Sequence, residues 1–338
     1  MDIYAYTQPE FSALFSKGKL LARELYRQWF KKGALFLDEP SLKQAEACVD
    51  GIVESVNWSL PTIAHVHKEG DTQKFLLKTH DNQMVESVAI PMKTLITLCV
   101  SSQVGCKMGC TFCETGRMGL IRNLTAAEIV QQVFAARFLL GIPVRNVVFM
   151  GMGEPFDNYD EVKQAIRILT DQNGFALGMH GITVSTSGRI DGILRLAEEQ
   201  EIKPNLAVSI NGPNNLLRSK LMPHNRKESL EALKEAIIAY TAKTGREVLL
   251  AYVLMKGVND SLELAEELAA YAGDLDCKIN LIPYNAQSND RFEVPDSEQV
   301  DAFAAHLRAS GLRVLLRRTK GRSIMAGCGQ LGNALIRK

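Results

Sequence analysis

The sequence has almost no net charge and no long apolar run. Its 338 residues carry 39 Lys and Arg against 38 Asp and Glu, a formal net charge of +1, which excludes a polycation that binds nucleic acid through bulk charge alone. Any nucleic-acid surface must therefore be local. No stretch approaches the roughly 18 consecutive apolar residues that a membrane span requires, and the first residues do not read as a signal peptide. We expect a cytoplasmic protein with no membrane partner.

Cysteine is sparse but unevenly placed. Of the seven cysteines, four lie within fifteen residues, namely Cys99, Cys106, Cys110 and Cys113. In a large chain in a reducing compartment, such clustering indicates a metal or chemistry rather than a disulfide framework. Cys48 and Cys277 match no motif, and we interpret them as core residues.

The first ninety residues differ in pattern from the rest. The basic stretch GKLLARELYRQWFKKG places Leu20, Leu21, Leu25 and Trp29 at helical spacing. The segments KFLLKTH and MVESVAIP alternate as short strands do. We predict a small accessory domain over residues 1–90 and a larger domain over 91–338.

From about Leu95 the pattern alternates between apolar runs and amphipathic helices. Thr125 before Glu128 makes a capping box for the first of these helices. Regular βα alternation predicts an α/β fold in which parallel strands form a full or partial barrel, with the site at their C-terminal ends. The strand candidates are TLCV, NVVFM, ITVS, LAVSI, VLLAYVL, KINLIP and RVLL, and the helix candidates include TAAEIVQQVFAARFL, DEVKQAIRILT, SLEALKEAIIAYT, LELAEELAAYA and SEQVDAFAAHLRA.

Three cysteines follow the first predicted strand with the spacing C-x3-C-x2-C. Thiolates of Cys106, Cys110 and Cys113 can converge on one centre. A structural zinc site uses four ligands, and none of the six His residues lies in this segment. An iron–sulfur cluster also takes four Cys as a rule, so three would leave one iron open to a small molecule. A zinc knuckle or unrelated reactive thiols are the alternatives.

This spacing, with the aromatic Phe112 before the last Cys, resembles the radical S-adenosylmethionine (SAM) signature. Further segments resemble the RlmN/Cfr family of radical SAM RNA adenine methyltransferases, and the likeness runs over nearly the whole chain. The resemblance implies a partial (βα)6-type radical SAM barrel with a catalytic C-terminal tail, preceded by an accessory domain that contacts RNA. The segments are LCVSSQVGC, RNLTAAEI, GMGEP, VSTSG, LMPHNRK, GVNDS, NLIP, RRTKG and GCGQL.

The resemblance also implies the cofactors and partners. One 4Fe-4S cluster would be held by Cys106, Cys110 and Cys113, with exchangeable SAM on the open iron. The substrate would be an adenine of large-subunit ribosomal RNA, or of transfer RNA as well, methylated at carbon 2 or carbon 8 with two SAM consumed. An external donor such as a flavodoxin would supply the electron, and the enzyme would be monomeric.

Polar residues at predicted strand ends are candidates for the SAM site. Strand-end side chains line the site of a βα barrel, although Ser and Asn also terminate strands and cap helices. GMGEP is an ordinary turn in which glycine would let a ligand approach the backbone. By resemblance, we expect SAM contacts from Gly153, Glu154, Ser185, Ser209, Ile210, Asn211 and Asn285.

Three further residues gain roles from the resemblance alone. Cys328, which is flanked by glycines, would accept a methyl group as S-methylcysteine and pass it to adenine. Cys99 would resolve the protein–RNA adduct through a transient disulfide with Cys328, and Glu86 would accept the proton. Taken by themselves, the two cysteines are commonly inert packing and Glu86 an ordinary solvated strand carboxylate.

Two basic stretches could follow an RNA backbone, although most such runs are solvated helix faces. They are Lys17, Lys19, Arg23, Arg27, Lys31 and Lys32 near the start, and Arg308, Arg313, Arg317, Arg318, Lys320, Arg322, Arg337 and Lys338 near the end.

The chain departs from the family pattern at a few positions. Glu114 stands where Ala or Ser is usual, Asn211 where His is usual, and Ala251 where an acid is common; the GRSIMAGCGQL tail lacks two usual acids. We hypothesise intact chemistry with an altered RNA target or regiochemistry. The alternatives are a radical SAM enzyme for a non-RNA substrate and a metal-stabilised protein that binds ribosomal RNA without catalysis.

Overall fold

The structure, a computed structural model, describes residues 1–287, 291–317, 321 and 323–332. Five residues of the predicted C-terminal basic stretch lie outside this range, namely Arg318, Lys320, Arg322, Arg337 and Lys338.

Four helices form the N-terminal part. They are α1 (Gln8–Ala13), α2 (Lys19–Lys32), α3 (Pro40–Lys43) and α4 (Glu46–Ser55). The predicted helix α2 ends at Gly33, whose positive φ of 76° suits glycine. Leu25 and Trp29 are buried as the spacing predicts, whereas Leu20 is exposed. The apolar stripe of α2 is therefore narrower than predicted, because Leu20 lies on the solvent side of the helix while Ala22 in the same turn is buried.

Three antiparallel strands continue from these helices: β1 (Thr62–Glu69), β2 (Thr72–Lys78) and β3 (Met84–Pro91). Strand β3 pairs in turn with β4 (Ile96–Cys99), also antiparallel. Residue 90 thus lies inside a continuous sheet, and the division at that residue stays a prediction.

A separate two-stranded ribbon follows β4. It consists of β5 (Gln103–Cys106) and β6 (Gly119–Asn123), with α5 (Glu114–Met118) between them. The remaining strands are β7 (Val144–Phe149), β8 (Ile182–Thr186), β9 (Asn205–Ser209), β10 (Val248–Leu254), β11 (Cys277–Pro283) and β12 (Val314–Leu316).

One ten-stranded sheet has the order β1-β2-β3-β4-β7-β8-β9-β10-β11-β12. Strands β4 and β7 to β12 are parallel, so all seven predicted strands are confirmed. Within the described residues, β1 and β12 each pair with a single strand, consistent with a partial barrel whose site lies at the C-terminal strand ends.

Helices connect the parallel strands. All five helix candidates are confirmed, and the Thr125–Glu128 capping box is present; α8 and α9 lie outside those candidates. The helices are α6 (Ala126–Phe134, continued by a π-helical turn Ala135–Leu139), α7 (Tyr159–Thr170), α8 (Ile190–Glu198), α9 (Asn215–Leu221), α10 (Leu230–Thr244), α11 (Leu262–Ala272) and α12 (Ser297–Ala309).

A single large apolar cluster joins the N-terminal helices to the barrel. Its aromatic centre stacks Trp29 on Phe134 of α6, with ring centroids 5.2 Å apart. Cys277 is buried in this cluster as predicted. Cys48 is half-buried and packs against the edge of the same cluster, where its thiol faces the Lys17 carbonyl. Among the described residues, no helix is both long and apolar enough to cross a membrane.

Candidate active site

The cysteine loop lies in the β5–β6 ribbon. Cys106 is the last residue of β5, while Cys110 and Cys113 follow in the turn before α5. The Cys113 N–H donates to the Cys110 carbonyl at 3.2 Å. A Cβ on Gly116 would lie 3.0 Å from both the N and the O of Cys110, so only glycine lets α5 pack so closely on the turn. The sequence predicted the loop but not the ribbon that separates it from β4.

The spacing of the three thiols distinguishes between a single ion and a cluster. Their Sγ atoms do not all lie within 4.8 Å of one another. Sγ atoms around a tetrahedral zinc are about 3.8 Å apart, given a Zn–S distance of about 2.3 Å. The wider arrangement favours a larger centre over a zinc knuckle.

Burial dominates the acidity of these thiols. It raises the pKa of Cys106 to about 12, and it also raises the pKa values of Cys110 and Cys113. A metal centre offsets this effect because its charge stabilises the thiolate. The donor set therefore fits an iron–sulfur cluster, which binds thiolates.

A buried cation lies beside the loop. Arg218 of α9 is fully buried, and its guanidinium donates to the carbonyls of Ser187 at 2.6 Å and Ser209 at 3.1 Å. It forms no salt bridge with a carboxylate of the described residues. Burial lowers its pKa to about 10, and its charge favours the Cys110 thiolate. Sequence reasoning missed Arg218, although a lone Arg just before LMPHNRK on a short helix was a usable signal.

The Cys328 segment is docked on the cysteine loop. The Glu114 N–H donates to the Gly329 carbonyl at 2.8 Å, and the Thr115 hydroxyl donates to the Leu331 carbonyl at 2.7 Å. The Gln287 side-chain amide bridges the carbonyls of Phe112 (2.6 Å) and Gly329 (3.0 Å). These bonds hold the tail against the three predicted cluster ligands.

Cys328 is half-buried and lines a cavity of about 340 Å³ together with Ile90, Ile282, Asn285 and Arg317. The Asn285 side-chain amide donates to the Cys328 carbonyl at 3.1 Å. The glycines on either side allow the bend, since Gly329 has a φ of 82°.

Cys99, at the end of β4, belongs to the same neighbourhood. It is buried in a small apolar cluster with Ala326 and Leu331 of the tail. Burial raises its pKa to about 12, and negative charge on Cys328 would raise it further. The structure thus brings Cys99 and Cys328 together with both thiols free.

Glu86 on β3 is fully buried, contrary to the solvated alternative. Its Oε2 lies 3.7 Å from Nζ of the buried Lys74 and accepts from the Gly332 N–H at 3.3 Å. Lys74 also donates to the Met325 carbonyl at 3.3 Å. The tail therefore covers Glu86, which shares one side of the sheet with Cys99.

The GMGEP turn packs against β5. Gly153 has a φ of 104°, and a Cβ there would lie 2.6 Å from Cβ of Gln103. The buried Glu154 carboxylate accepts from the backbone N–H of Ser187 at 2.7 Å and of Phe156 at 3.2 Å. Burial raises the pKa of Glu154. A carboxylate can accept further hydrogen bonds, so Glu154 can still receive an amino group.

The other predicted SAM residues lie at neighbouring strand ends. Ser185 and Ser209 are half-buried, and Ile210 is a buried apolar residue. Asn211 adopts a left-handed φ of 57°. Its Oδ1 accepts from the Val253 N–H at 2.8 Å, and its Nδ2 faces Met222 Sδ at 3.3 Å. Asn211 thus supports β10, and a contact from it to SAM stays a prediction.

The residues that differ from the family pattern also have partners nearby. Glu114 is buried and pairs with Arg117 at 3.4 Å, and the carbonyl of the small Ala251 accepts from the Ile210 N–H at 2.9 Å. Among the predicted RNA-binding cations, Lys32 pairs with Glu39 at 2.9 Å and Arg313 with Glu247 at 2.6 Å. Part of each basic stretch is therefore already neutralised within the protein.

Residues 100–269 match the Radical SAM superfamily, which covers half of the chain and defines the class of protein. A probable dual-specificity RNA methyltransferase RlmN 1 from Protochlamydia amoebophila is 49% identical over 342 residues, covering 100% of this chain and 96% of that protein. A dual-specificity RNA methyltransferase RlmN from Halorhodospira halophila is 40% identical, over 98% of this chain and 93% of that one.

The crystal structure of a radical SAM methyltransferase from Sphaerobacter thermophilus agrees with the fold. It has a TM-score of 0.90 and 39% identity, and the match covers 98% of this chain and 99% of that chain. The chain belongs to the RlmN family within the radical SAM superfamily. That membership implies a 4Fe-4S cluster and SAM, and the predicted partial barrel is confirmed.

Proposed function

We propose that the chain is a radical SAM RNA methyltransferase. It methylates an adenine ring carbon, carbon 2 or carbon 8, in large-subunit ribosomal RNA, with transfer RNA as a second substrate. The observation that carries this proposal is the docking of the Cys328 segment on the cysteine loop, because a methyl carrier must reach both SAM and RNA. The printed names of the relatives support RNA as the substrate class.

Cys106, Cys110 and Cys113 would hold the 4Fe-4S cluster, which leaves one iron for exchangeable SAM. When bound, the cluster supplies the electron that cleaves SAM. Gly153 lets the SAM amino group approach the backbone, and Glu154 accepts from that group. Half-buried hydroxyls of Ser185 and Ser209, the Ile210 backbone and the amides of Asn211 and Asn285 would surround the rest of SAM.

Cys328 acts as the methyl carrier. Its thiolate takes a methyl group from one SAM and becomes S-methylcysteine. The radical formed from a second SAM would take a hydrogen atom from this methyl group, and the methylene carbon would bond to the adenine ring carbon, so that a thioether joins protein and RNA. The electron released as the ring carbon loses its proton would return to the cluster. Glu86 accepts the proton that leaves the adenine carbon. Cys99, once it has lost its proton, then attacks the Cys328 sulfur. The disulfide forms as the bond between that sulfur and the methylene carbon breaks, and this carbon takes up a proton to become the methyl group of the released RNA.

The tail must lift during this sequence. Glu86 is covered by Lys74 and by the Gly332 N–H, so adenine reaches the carboxylate only when Gly332 moves away from Glu86 while Cys328 stays beside the adenine. We further propose a monomeric cytoplasmic enzyme that receives its electron from an external donor such as a flavodoxin.

The test is nucleoside mass spectrometry of RNA from a deletion strain treated with the anaerobically purified, iron-loaded protein. We expect methyladenosine in 23S-type ribosomal RNA after treatment with the wild type and none after treatment with Cys328→Ala. Unchanged methyladenosine in both ribosomal and transfer RNA would refute the proposal. Activity that survives Cys328→Ala would instead favour a different radical SAM reaction.

A further inference from the structure

A second cavity lies at the opposite ends of three strands from the cysteine loop. It has a volume of about 1030 Å³ and lies where β4, β7 and β8 begin. We call it the basic groove because its ionisable lining residues are Lys93, Arg137, Arg145 and His180 and include no Asp or Glu. Its local positive charge contrasts with the near-neutral chain.

The cations of the basic groove differ in whether they bind other groups of the protein. Arg137 is committed to the fold, since its guanidinium donates to the carbonyls of Val144 at 2.8 Å and Phe175 at 2.9 Å. Lys93 and Arg145 are exposed, and neither forms a salt bridge within the described part of the chain. Two positive charges are therefore free for an anionic ligand.

The basic groove and the cavity that contains Cys328 lie on either side of one turn. Met92 and Lys93, in the turn between β3 and β4, line both spaces. The Met92 N–H closes this turn by donating to the Leu95 carbonyl at 2.7 Å. The side chains of Met92 and Leu95 are both exposed. One short turn between the two cavities thus carries the exposed cation Lys93 and exposed apolar side chains.

We propose that the basic groove binds the phosphate backbone of the substrate RNA and directs one unpaired base past Met92 into the Cys328 cavity. This inference rests on the proposed function. Lys93 and Arg145 contact phosphates, because free exposed cations gain counterion-release energy there. The turn offers apolar contact to a splayed base, as recognition of single-stranded RNA requires.

An acidic protein such as the electron donor is the other partner that a basic groove could attract. The groove shares Met92 and Lys93 with the Cys328 cavity, but it lies at the strand ends remote from the cysteine loop, which a donor must approach. The shared lining therefore favours RNA.

The experiment compares the iron-loaded wild type with Lys93→Gln/Arg145→Gln and with the matched control Lys203→Gln. Lys203 is exposed, precedes β9 at the same end of the sheet and lines neither cavity. Binding of a fluorescein-labelled stem-loop RNA with unpaired adenines is measured by anisotropy across salt concentrations. Iron content and Tm verify that each variant is folded.

We expect the double variant to bind RNA about tenfold more weakly at low salt. The slope of log binding constant against log salt concentration should become shallower by roughly 1.5, because each lost phosphate contact contributes about 0.7–0.9 to that slope. Lys203→Gln should bind as the wild type does. An unchanged slope in the double variant, or an equal loss in Lys203→Gln, would overturn the inference while wild-type methylation stands. Slower reduction by flavodoxin with unaltered RNA binding would assign the groove to the donor. A wild type that neither binds nor methylates RNA would refute the proposed function itself.

Discussion

The Glu114 N–H donates to the Gly329 carbonyl at 2.8 Å, so the residue after the last predicted cluster ligand is bonded to the residue after Cys328. The methyl carrier and the cysteine loop therefore form one hydrogen-bonded unit. Motion of the tail must break this bond, which is why the docking itself can be tested by substitution.

A methyl group added at Gly329 should undock the tail. The Cβ of Gly329→Ala would lie 3.0 Å from the Phe112 carbonyl oxygen at a φ of 82°. Gly311→Ala is the matched control, since its φ is 83° and its Cβ meets open space. Both variants bear the cost of about 1–2 kcal/mol for an L-residue in the left-handed conformation. Only Gly329→Ala should therefore lose most RNA methylation while retaining SAM cleavage. Equal activity of the two variants would contradict tail docking as a requirement.

Removal of Lys74 should destabilise the fold strongly. Lys74→Met removes the ammonium group that lies 3.7 Å from the buried Glu86 carboxylate, and breaking a buried pair costs about 3–5 kcal/mol. Adding Glu86→Gln to Lys74→Met should restore much of that loss. Denaturant unfolding measures both, with the exposed Lys78→Met as control. A loss below about 1 kcal/mol in Lys74→Met would show that the pair is not buried as described.

The buried thiol of Cys99 predicts a loss of stability at alkaline pH. Its pKa is raised to about 12 in the folded chain, against about 8.5 when unfolded. The unfolded state therefore releases this proton first, and the contribution is complete below about pH 8.5 and lost as pH rises toward 12. The stability difference between the wild type and Cys99→Ala should fall by about 1.4 kcal/mol per pH unit from pH 9. A difference independent of pH would indicate that the thiol is accessible to water.

The charge of Arg218 predicts the direction in which substitution changes the midpoint potential of the cluster. A positive charge beside the cluster stabilises its reduced form, and Arg218→Met removes that charge while Arg218→Lys keeps it. Both variants lose the fork of bonds to the Ser187 and Ser209 carbonyls. Anaerobic titration should therefore give a lower midpoint potential for Arg218→Met than for Arg218→Lys. Equal potentials would mean that Arg218 only supports the backbone.

Periodicity was enough to predict most of the barrel. Most of the parallel strands are largely buried and read as short apolar runs, although Leu315 of β12 is exposed. Helices such as α6 and α12 carry one apolar stripe and recognisable caps. Periodicity within a strand does not show which strand pairs with it. The junction of β3 with β4, and the ribbon that carries Cys106, depend on which edges meet in space.

The site was predictable where chemistry restricts residue type, as at Cys106, Cys110 and Cys113. The roles of residues that depend on contacts with other segments could not be predicted. Glu86 reads as an exposed strand carboxylate until Lys74 and the tail are seen to cover it. Asn211 reads as a ligand contact, yet its amide accepts from the Val253 N–H, because a strand-end amide can satisfy the next strand equally well.

The central claim is that Cys328 carries the methyl group, and mass spectrometry of the tryptic peptide SIMAGCGQLGNALIR, residues 323–337, tests it most directly. Iron-loaded wild type incubated anaerobically with methyl-labelled SAM should carry one labelled methyl group on Cys328, and the label should pass to adenine when RNA is added. A peptide that stays unmodified while the RNA becomes methylated would contradict the account.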